Sequence, residues 1–198
     1  MSTVLLINTH LTYQGWSEGA LNDAFHQTAK AFFQSKGFEI FETKIEDGYN
    51  PDEEVEKHLQ ADLVILQTPV NWFGAPWIYK KYADEVFNSG LQSQKFLSGD
   101  GRTREDLTKQ YGTGGKLQGK MFMVSATFNA PAESFDNPSQ TLMHGKGTDD
   151  LFLNITSNYK FCGVKIIKGF NCFDIYKNGD IGKDLENYPI HLENVFSI

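Results

Sequence analysis

Three stretches of the chain concentrate side chains suited to holding a flat, charged ligand. Pro69-Val70-Asn71-Trp72-Phe73-Gly74-Ala75-Pro76-Trp77 alternates aromatic and small residues, so its backbone N–H groups stay reachable beside a rigid apolar wall. Thr127-Phe128-Asn129-Ala130-Pro131 brings a hydroxyl, a ring and an amide into one short run. Ser17-Glu18-Gly19 stands just ahead of Leu21 and Asn22, where helical spacing begins, and the free N–H groups of a helix start attract phosphate. Ser17 alone reads equally well as an ordinary helix cap, and the aromatic stretch also suits a loop buried against a partner subunit. Together the three fit a planar conjugated ring carrying a phosphate tail.

Other chemistry-bearing residues are more scattered. His144 is a histidine, the side-chain type whose reference pKa lies near neutrality, which suits proton delivery or, equally, capping of a loop. Arg102, Arg104, Lys109 and Lys116 fall in one Gly-, Ser- and Lys-rich segment between Asn88 and Lys120, where they suit a phosphate or simple solvation. Gly112 to Lys116 is followed by Leu117, so it is no nucleotide-binding Gly-Lys-Ser/Thr loop. No Gly-x-Ser-x-Gly elbow or His-Glu-x-x-His helix occurs, and the acidic run from Asp47 to Glu56 reads as a capped, solubilising helix. Cys162 and Cys172 lack metal-site or redox-pair spacing and are expected to be two reduced thiols.

The elements that must position these loops follow from periodicity. Val4 to Ile7, Leu63 to Leu66 and Met121 to Val124 are unbroken apolar runs, as strands covered on both faces require. Phe38 to Lys44 and Val164 to Phe170 complete five expected strands. Between them, Leu21, Phe25, Thr28, Ala29 and Phe32 recur at helical spacing up to Gly37, a natural left-handed terminator. Asn50-Pro51 followed by Asp52, Glu53 and Glu54 starts a second helix, and Pro76 a third, with Ile78, Tyr82 and Val86 on one face. Phe152, Ile155 and Tyr159 mark a fourth; Leu185, Leu192 and Val195 mark a last one, interrupted or begun near Pro189. Alternation of this kind predicts a flavodoxin-like α/β fold: a doubly wound, five-stranded parallel sheet with helices on both faces, in a single domain over residues 1–198. Ligands of such sheets sit beyond the carboxyl ends of the strands, where the loops after strands one, three and four meet. A flavin ring is the expected occupant.

Bulk properties narrow the partners. A net charge of −7 gives no general attraction for nucleic acid or anionic lipid. No apolar run approaches the roughly 18 residues that a membrane span needs, and no basic, apolar leader precedes Val4, so a cytoplasmic location is expected.

The chain also resembles a known family. Gln67-Thr68-Pro69, Gly74-Ala75-Pro76-Trp77, Lys80-Lys81-Tyr82, Asp84, Val86 and Phe87 look like the Pro-x-x-Trp motif and following helix of the flavodoxin-like NAD(P)H dehydrogenase (quinone) family. Asp100-Gly101-Arg102-Thr103-Arg104, Tyr111 to Gly115, Asn129-Ala130-Pro131 and His144-Gly145 extend the likeness over nearly the whole chain, to the bacterial NADPH:quinone reductases of the modulator of drug activity B type. That resemblance implies bound FAD rather than FMN, a homodimer, and two-electron, ping-pong reduction of a quinone substrate by NADPH. It implies cofactor contacts at Ser17, Gly19, Leu21 and Asn22, at Pro69, Val70, Asn71, Trp72 and Phe73, at Tyr111, and at Thr127, Phe128, Asn129 and Ala130. Asn129 and His144 are its candidate catalytic residues. Glu18 departs from the pattern, as does Val70-Asn71 ahead of Trp72. Rival readings are an FMN-dependent azoreductase or nitroreductase-like enzyme, a flavodoxin-type electron carrier, and a non-catalytic regulatory subunit of a transporter.

Overall fold

A computed structural model describes residues 2–177 and 179–197. Strand β1 (Thr3–Asn8) leads into helix α1 (Ala20–Ser35), β2 (Glu39–Lys44), α2 (Pro51–Gln60), β3 (Leu63–Pro69), α3 (Trp77–Gln92) and β4 (Met121–Thr127). Two consecutive helices follow, α4 (Thr148–Leu151) and α5 (Leu153–Phe161), then short strands β5 (Lys165–Ile166) and β6 (Phe170–Cys172) and helix α6 (Ile181–Phe196). All pairings are parallel, in the order β2-β1-β3-β4-β5, with β6 also on β4. This is the flavodoxin-like order, with its switch point between β1 and β3.

The unbroken apolar runs have a simple cause. Successive strand side chains point to opposite faces, and both faces are covered. Leu5, Ile7, Val64, Leu66, Phe122 and Val124 pack with Ile78, Tyr82 and Val86 of α3 and Tyr159 of α5. Val4, Leu6, Leu63, Ile65 and Met123 pack with Phe25 and Phe33 of α1 and Tyr188, Leu192 and Phe196 of α6. The helix starts follow their caps: Asn50 Oδ1 accepts from the N–H groups of Asp52 and Glu53, and Asp180 accepts from that of Lys183. Both cysteines are free and buried, and burial pushes each thiol up to about 12.

Two expectations are corrected. The fifth strand is two pieces: Phe122 pairs with Ile166 and Ser125 with Phe170, so this side spends one residue more than β4 between the two pairs. The extra residue is accommodated at Gly169, where an added Cβ would lie 2.7 Å from Val124 O. Helix α6 neither begins nor stops at Pro189 but runs through it. The missing N–H costs a hydrogen bond, while Tyr188, Leu192 and Phe196, four residues apart, keep both halves anchored in the core.

Beneath α2 and α3 lies a buried polar cluster. Glu54, 1% exposed, accepts hydrogen bonds from Thr43 Oγ1 (2.8 Å), Tyr82 Oη (2.6 Å) and Lys57 Nζ (2.6 Å). His58 lies one turn further, with Nδ1 2.8 Å from Glu54 O and Nε2 3.2 Å from Tyr159 Oη. Burial holds His58 below its ordinary pKa of 6.5; Glu54 opposes the shift and Lys120 and Lys57 add to it. On unfolding below pH 6.5 the ring gains a proton that the fold refuses, so stability is complete above 6.5 and falls as pH drops beneath it. The expected slope reaches about 1.4 kcal/mol per pH unit from this group. Urea denaturation between pH 7.5 and 5.5 should show that loss and a shallower one in His58→Gln. Equal slopes in the two proteins would remove His58 as its source.

Candidate functional site

At the carboxyl end of β1 the alternation of side chains carries on past the strand. Asn8 and His10 continue the face of Val4 and Leu6, the side on which α1 packs. Asn8 Oδ1 accepts from His10 N (2.9 Å) and from Asn22 Nδ2 (2.7 Å), and Gln67 Nε2 donates to Asn22 Oδ1 (3.0 Å). One buried chain of amides thus ties β1, α1 and β3 together where the first loop departs. Thr9 Oγ1 to Thr68 Oγ1, 2.6 Å, locks the same two strands.

The loop then folds on itself. Tyr13 and Ser17 exchange backbone hydrogen bonds of 2.9 and 2.8 Å, and the Tyr13 and Trp16 rings lie 5.5 Å apart. Gly19 precedes α1 in a left-handed conformation, φ 79°, and supplies no side-chain cap. Among the described residues nothing accepts from the first N–H groups of α1, those of Ala20, Leu21 and Asn22. His10 sits against Gly19, is 4% exposed, and its Nε2 has no hydrogen-bond partner. Desolvation lowers its pKa and Lys44 adds to the shift, while Glu46, the Ser17 backbone and Asp23 oppose it. The uncapped amides of the α1 start and the buried imidazole nitrogen of His10 converge as hydrogen-bonding groups suited to a phosphate.

The second loop is a tight turn. Asn71 and Gly74 exchange backbone hydrogen bonds (2.8 and 3.2 Å), which forces positive φ on Trp72 (47°) and Phe73 (64°). Such geometry favours Asn and Gly, and bulky residues there cost about 1–2 kcal/mol each. In return the N–H groups of Trp72 and Phe73 are free of partners among the described residues, and the Trp72 ring stands 92% exposed. Val70 N donates to Thr127 O at 2.9 Å and clamps this loop to the third.

These loops enclose a crevice of about 890 Å³, within the range of small-molecule sites. Of the sequence-derived candidates, Ser17, Gly19, Leu21, Asn22, Pro69, Val70, Asn71, Trp72, Thr127 and Asn129 line it. The remaining five do not. Phe128 is 1% exposed, packed edge-on or tilted against Phe135, Phe152 and Phe173, with its N–H and carbonyl bonded to Cys172 and Ile175. Ala130 accepts from Asp174 N, and Phe73, half exposed, is not among the residues that line the crevice. Tyr111 lies on the long loop between Phe161 and the Arg102 guanidinium, and His144 is exposed at a left-handed turn, φ 49°. Arg102, paired with Asp100, and Lys109 border a separate depression of about 670 Å³, while Lys116 Nζ bonds Gln94 O. Residues the sequence reading missed are His10, Tyr13, Trp16, Ala20, Ile175, Tyr176 and Ile181.

A polar-ended aromatic crevice at the switch point of a doubly wound sheet defines a nucleotide- or cofactor-binding α/β protein. The chain belongs to the family described as having a flavodoxin-like fold, which matches residues 2–193. It is 40% identical over 182 residues to the NADPH:quinone oxidoreductase MdaB of Haemophilus influenzae, covering 92% of this chain and 93% of that protein. A Klebsiella pneumoniae crystal structure superimposes with a TM-score of 0.75 at 20% identity, covering 98% of this chain and 85% of the other. The FMN-dependent NADH-azoreductase of Bacillus anthracis, in complex with FMN, superimposes at 0.60 with 16% identity, covering 98% and 97%. No helix among the described residues is long and apolar enough to cross a membrane.

Proposed function

We propose that this chain is an NAD(P)H:quinone oxidoreductase that uses bound FAD to pass two electrons from NADPH to a quinone in a ping-pong cycle, working as a homodimer. The observation that carries the reading is the orphaned His10 Nε2 beside the uncapped start of α1, at one end of an aromatic crevice. The likeness to the Haemophilus enzyme, over nearly the full length of both chains, supports the same activity.

The residues present fit a flavin. Phosphate oxygens find donors in His10 Nε2 and the N–H groups of Ala20, Leu21 and Asn22, while Ser17 and Gly19 shape the approach. The free N–H groups of Trp72 and Phe73, with the amides of Asn71 and Asn129 and the Thr127 hydroxyl, suit the polar edge of the ring. Bound there, the flavin supplies hydride acceptance and donation, so no side-chain nucleophile is needed. The chain's own part is to orient the two substrates in turn over one ring face, with Trp72 and Pro69 as apolar wall, and to place preorganised donors where negative charge grows. Tyr111 and His144, exposed and outside the crevice, are assigned to completing it across the dimer, where His144 delivers a proton to the quinone. Exposed Trp72, Trp77 and Phe73 give that interface its apolar surface. The FMN-bound azoreductase neighbour keeps the smaller flavin as the competing reading; at 16% identity its likeness carries the fold alone.

The test is optical. Purified protein should be yellow, bleach on anaerobic addition of NADPH, and recover its colour when menadione follows; heat-released flavin should run as FAD. A colourless chain that neither FAD nor FMN reconstitutes would sink the reading.

A further inference from the structure

Of the three amide side chains buried where β1, α1 and β3 meet, Asn22 alone lines the crevice. Both ends of its side chain are taken by the sheet, so what this third residue of α1 offers a ligand is its backbone N–H. The order of donors and acceptors is imposed by a backbone group. His10 N can only donate, and it holds Asn8 Oδ1; Asn22 Nδ2 is the second donor to that oxygen, which turns Asn22 Oδ1 to Gln67. Gln67 Nε2 meets it at 3.0 Å, and Gln67 Oε1 is left to the neighbours on its other side. Across the sheet the register partner of Gln67 is Ser125 of β4, on the face that Tyr188 of α6 covers. Gln67 Oε1, Ser125 Oγ and Tyr188 Oη are all buried, and none meets a partner at full hydrogen-bond geometry. Burial raises the Tyr188 pKa and Ser125 offsets part of the rise, so the two hydroxyls lie within reach of each other, and both are able to donate.

The start of α1 has need of such a tie. Gly19 supplies no side-chain cap and, as a glycine, restrains the backbone ahead of the helix less than any other residue. The side chains of Ala20 and Leu21 are apolar, so Asn22 is the first residue of α1 that can be hydrogen-bonded to the sheet through its side chain. The bond from Gln67 thus does from below what a cap does elsewhere. We infer that Gln67 is a positioning residue of the crevice: through Asn22 it holds the first turn of α1 so that the N–H groups of Ala20, Leu21 and Asn22 stay aimed at a ligand's phosphate, although Gln67 itself lies outside the crevice. This rests on the reading of the crevice as a flavin site.

Full-length wild type, Gln67→Met, Asn22→Ala and the double variant, each freed of flavin, would be titrated with riboflavin, FMN and FAD, following quenching of flavin fluorescence. Methionine matches glutamine in length and removes both polar ends, while riboflavin carries the ring without a phosphate. In Gln67→Met the affinity for FMN and for FAD should fall roughly tenfold, the scale of one buried hydrogen bond, with riboflavin within about twofold of wild type. Because Gln67 acts through Asn22, the double variant should bind FMN no worse than the weaker of the two single variants. Should Gln67→Met fail to fold, Ser125→Ala, which removes one small hydroxyl on the other side of the amide, should weaken FMN by about threefold and spare riboflavin. Equal shifts for riboflavin and FMN, losses that add in the double variant, or an unchanged affinity for FMN would each overturn the positioning role while leaving the crevice a flavin site. If no protein, wild type included, bound any of the three, the flavin reading and the role of Gln67 would fall together.

Discussion

A methyl group on Gly19 should empty the crevice of flavin while leaving the sheet folded. Gly19 holds φ 79°, which costs an L-residue about 1–2 kcal/mol. An added Cβ would also stand 2.5 Å from His10 Nε2 and 2.8 Å from its Cγ, so the imidazole has to move. That ring is 4% exposed and its backbone N–H is already committed to Asn8 Oδ1, which leaves little room to yield. Both halves of the anion site, the buried nitrogen and the helix start, are disturbed by one substitution. For Gly19→Ala we expect a flavin dissociation constant raised about 100-fold, the effect of losing two charge-assisted hydrogen bonds of about 1.5 kcal/mol each. The melting temperature of the flavin-free protein should fall by roughly 3–8 °C, on the scale for chains of this size. Flavin content after purification, read beside far-ultraviolet circular dichroism, checks the first; a variant that purifies with stoichiometric flavin would show that phosphate is bound elsewhere.

How much of this was legible in the sequence depends on which force decided each element. Strands covered on both faces must be apolar throughout, so β1, β3 and β4 announced themselves, and Asn50-Pro51 marked α2 by local hydrogen bonding alone. Where tertiary packing overrides local preference, the sequence misled. Pro189 is tolerated in α6 because Tyr188 and Leu192 bury on either side of it, and the fifth strand splits because Gly169 must pass close to Val124 O.

The site was legible to the extent that it depends on topology. Loops after β1, β3 and β4 converge in any sheet of this order, and most of the residues taken from them do line the crevice. Two misjudgements share a cause, since strand alternation does not stop where the strand stops. Phe122, Val124, Ala126 and Phe128 all join the core on the α3 side, so the Phe128 ring that looked fit to meet a ligand is packing. By the same count His10 follows Val4, Leu6 and Asn8 towards α1, a signal present in the sequence and not used. Ile175 and Tyr176 had no such signal, because they arrive from the connection between β6 and α6, far along the chain from the other loops.

Removal of the Glu54 carboxylate should be the most damaging single change to the fold. Its three partners come from β2, α3 and α2 itself, and Tyr82 and Thr43 are buried with it. Burial, with Glu54 second, pushes the Tyr82 hydroxyl far above its ordinary pKa, so that hydroxyl remains a donor and needs its acceptor. In Glu54→Ala the Tyr82 hydroxyl and the Lys57 ammonium lose the group that compensates their desolvation, and breaking a buried charged cluster costs about 3–5 kcal/mol. For a chain of this length that corresponds to a melting temperature lower by roughly 6–20 °C. Glu54→Gln keeps an oxygen for Tyr82 and should lose less than half as much. The damage should also reach the crevice, since α2 and α3 pack together and α3 starts directly behind the Trp72 turn. Thermal denaturation of both variants tests the order; a Glu54→Ala protein within about 1 kcal/mol of the wild type would mean that water or a rearranged Lys57 replaces the carboxylate at no cost.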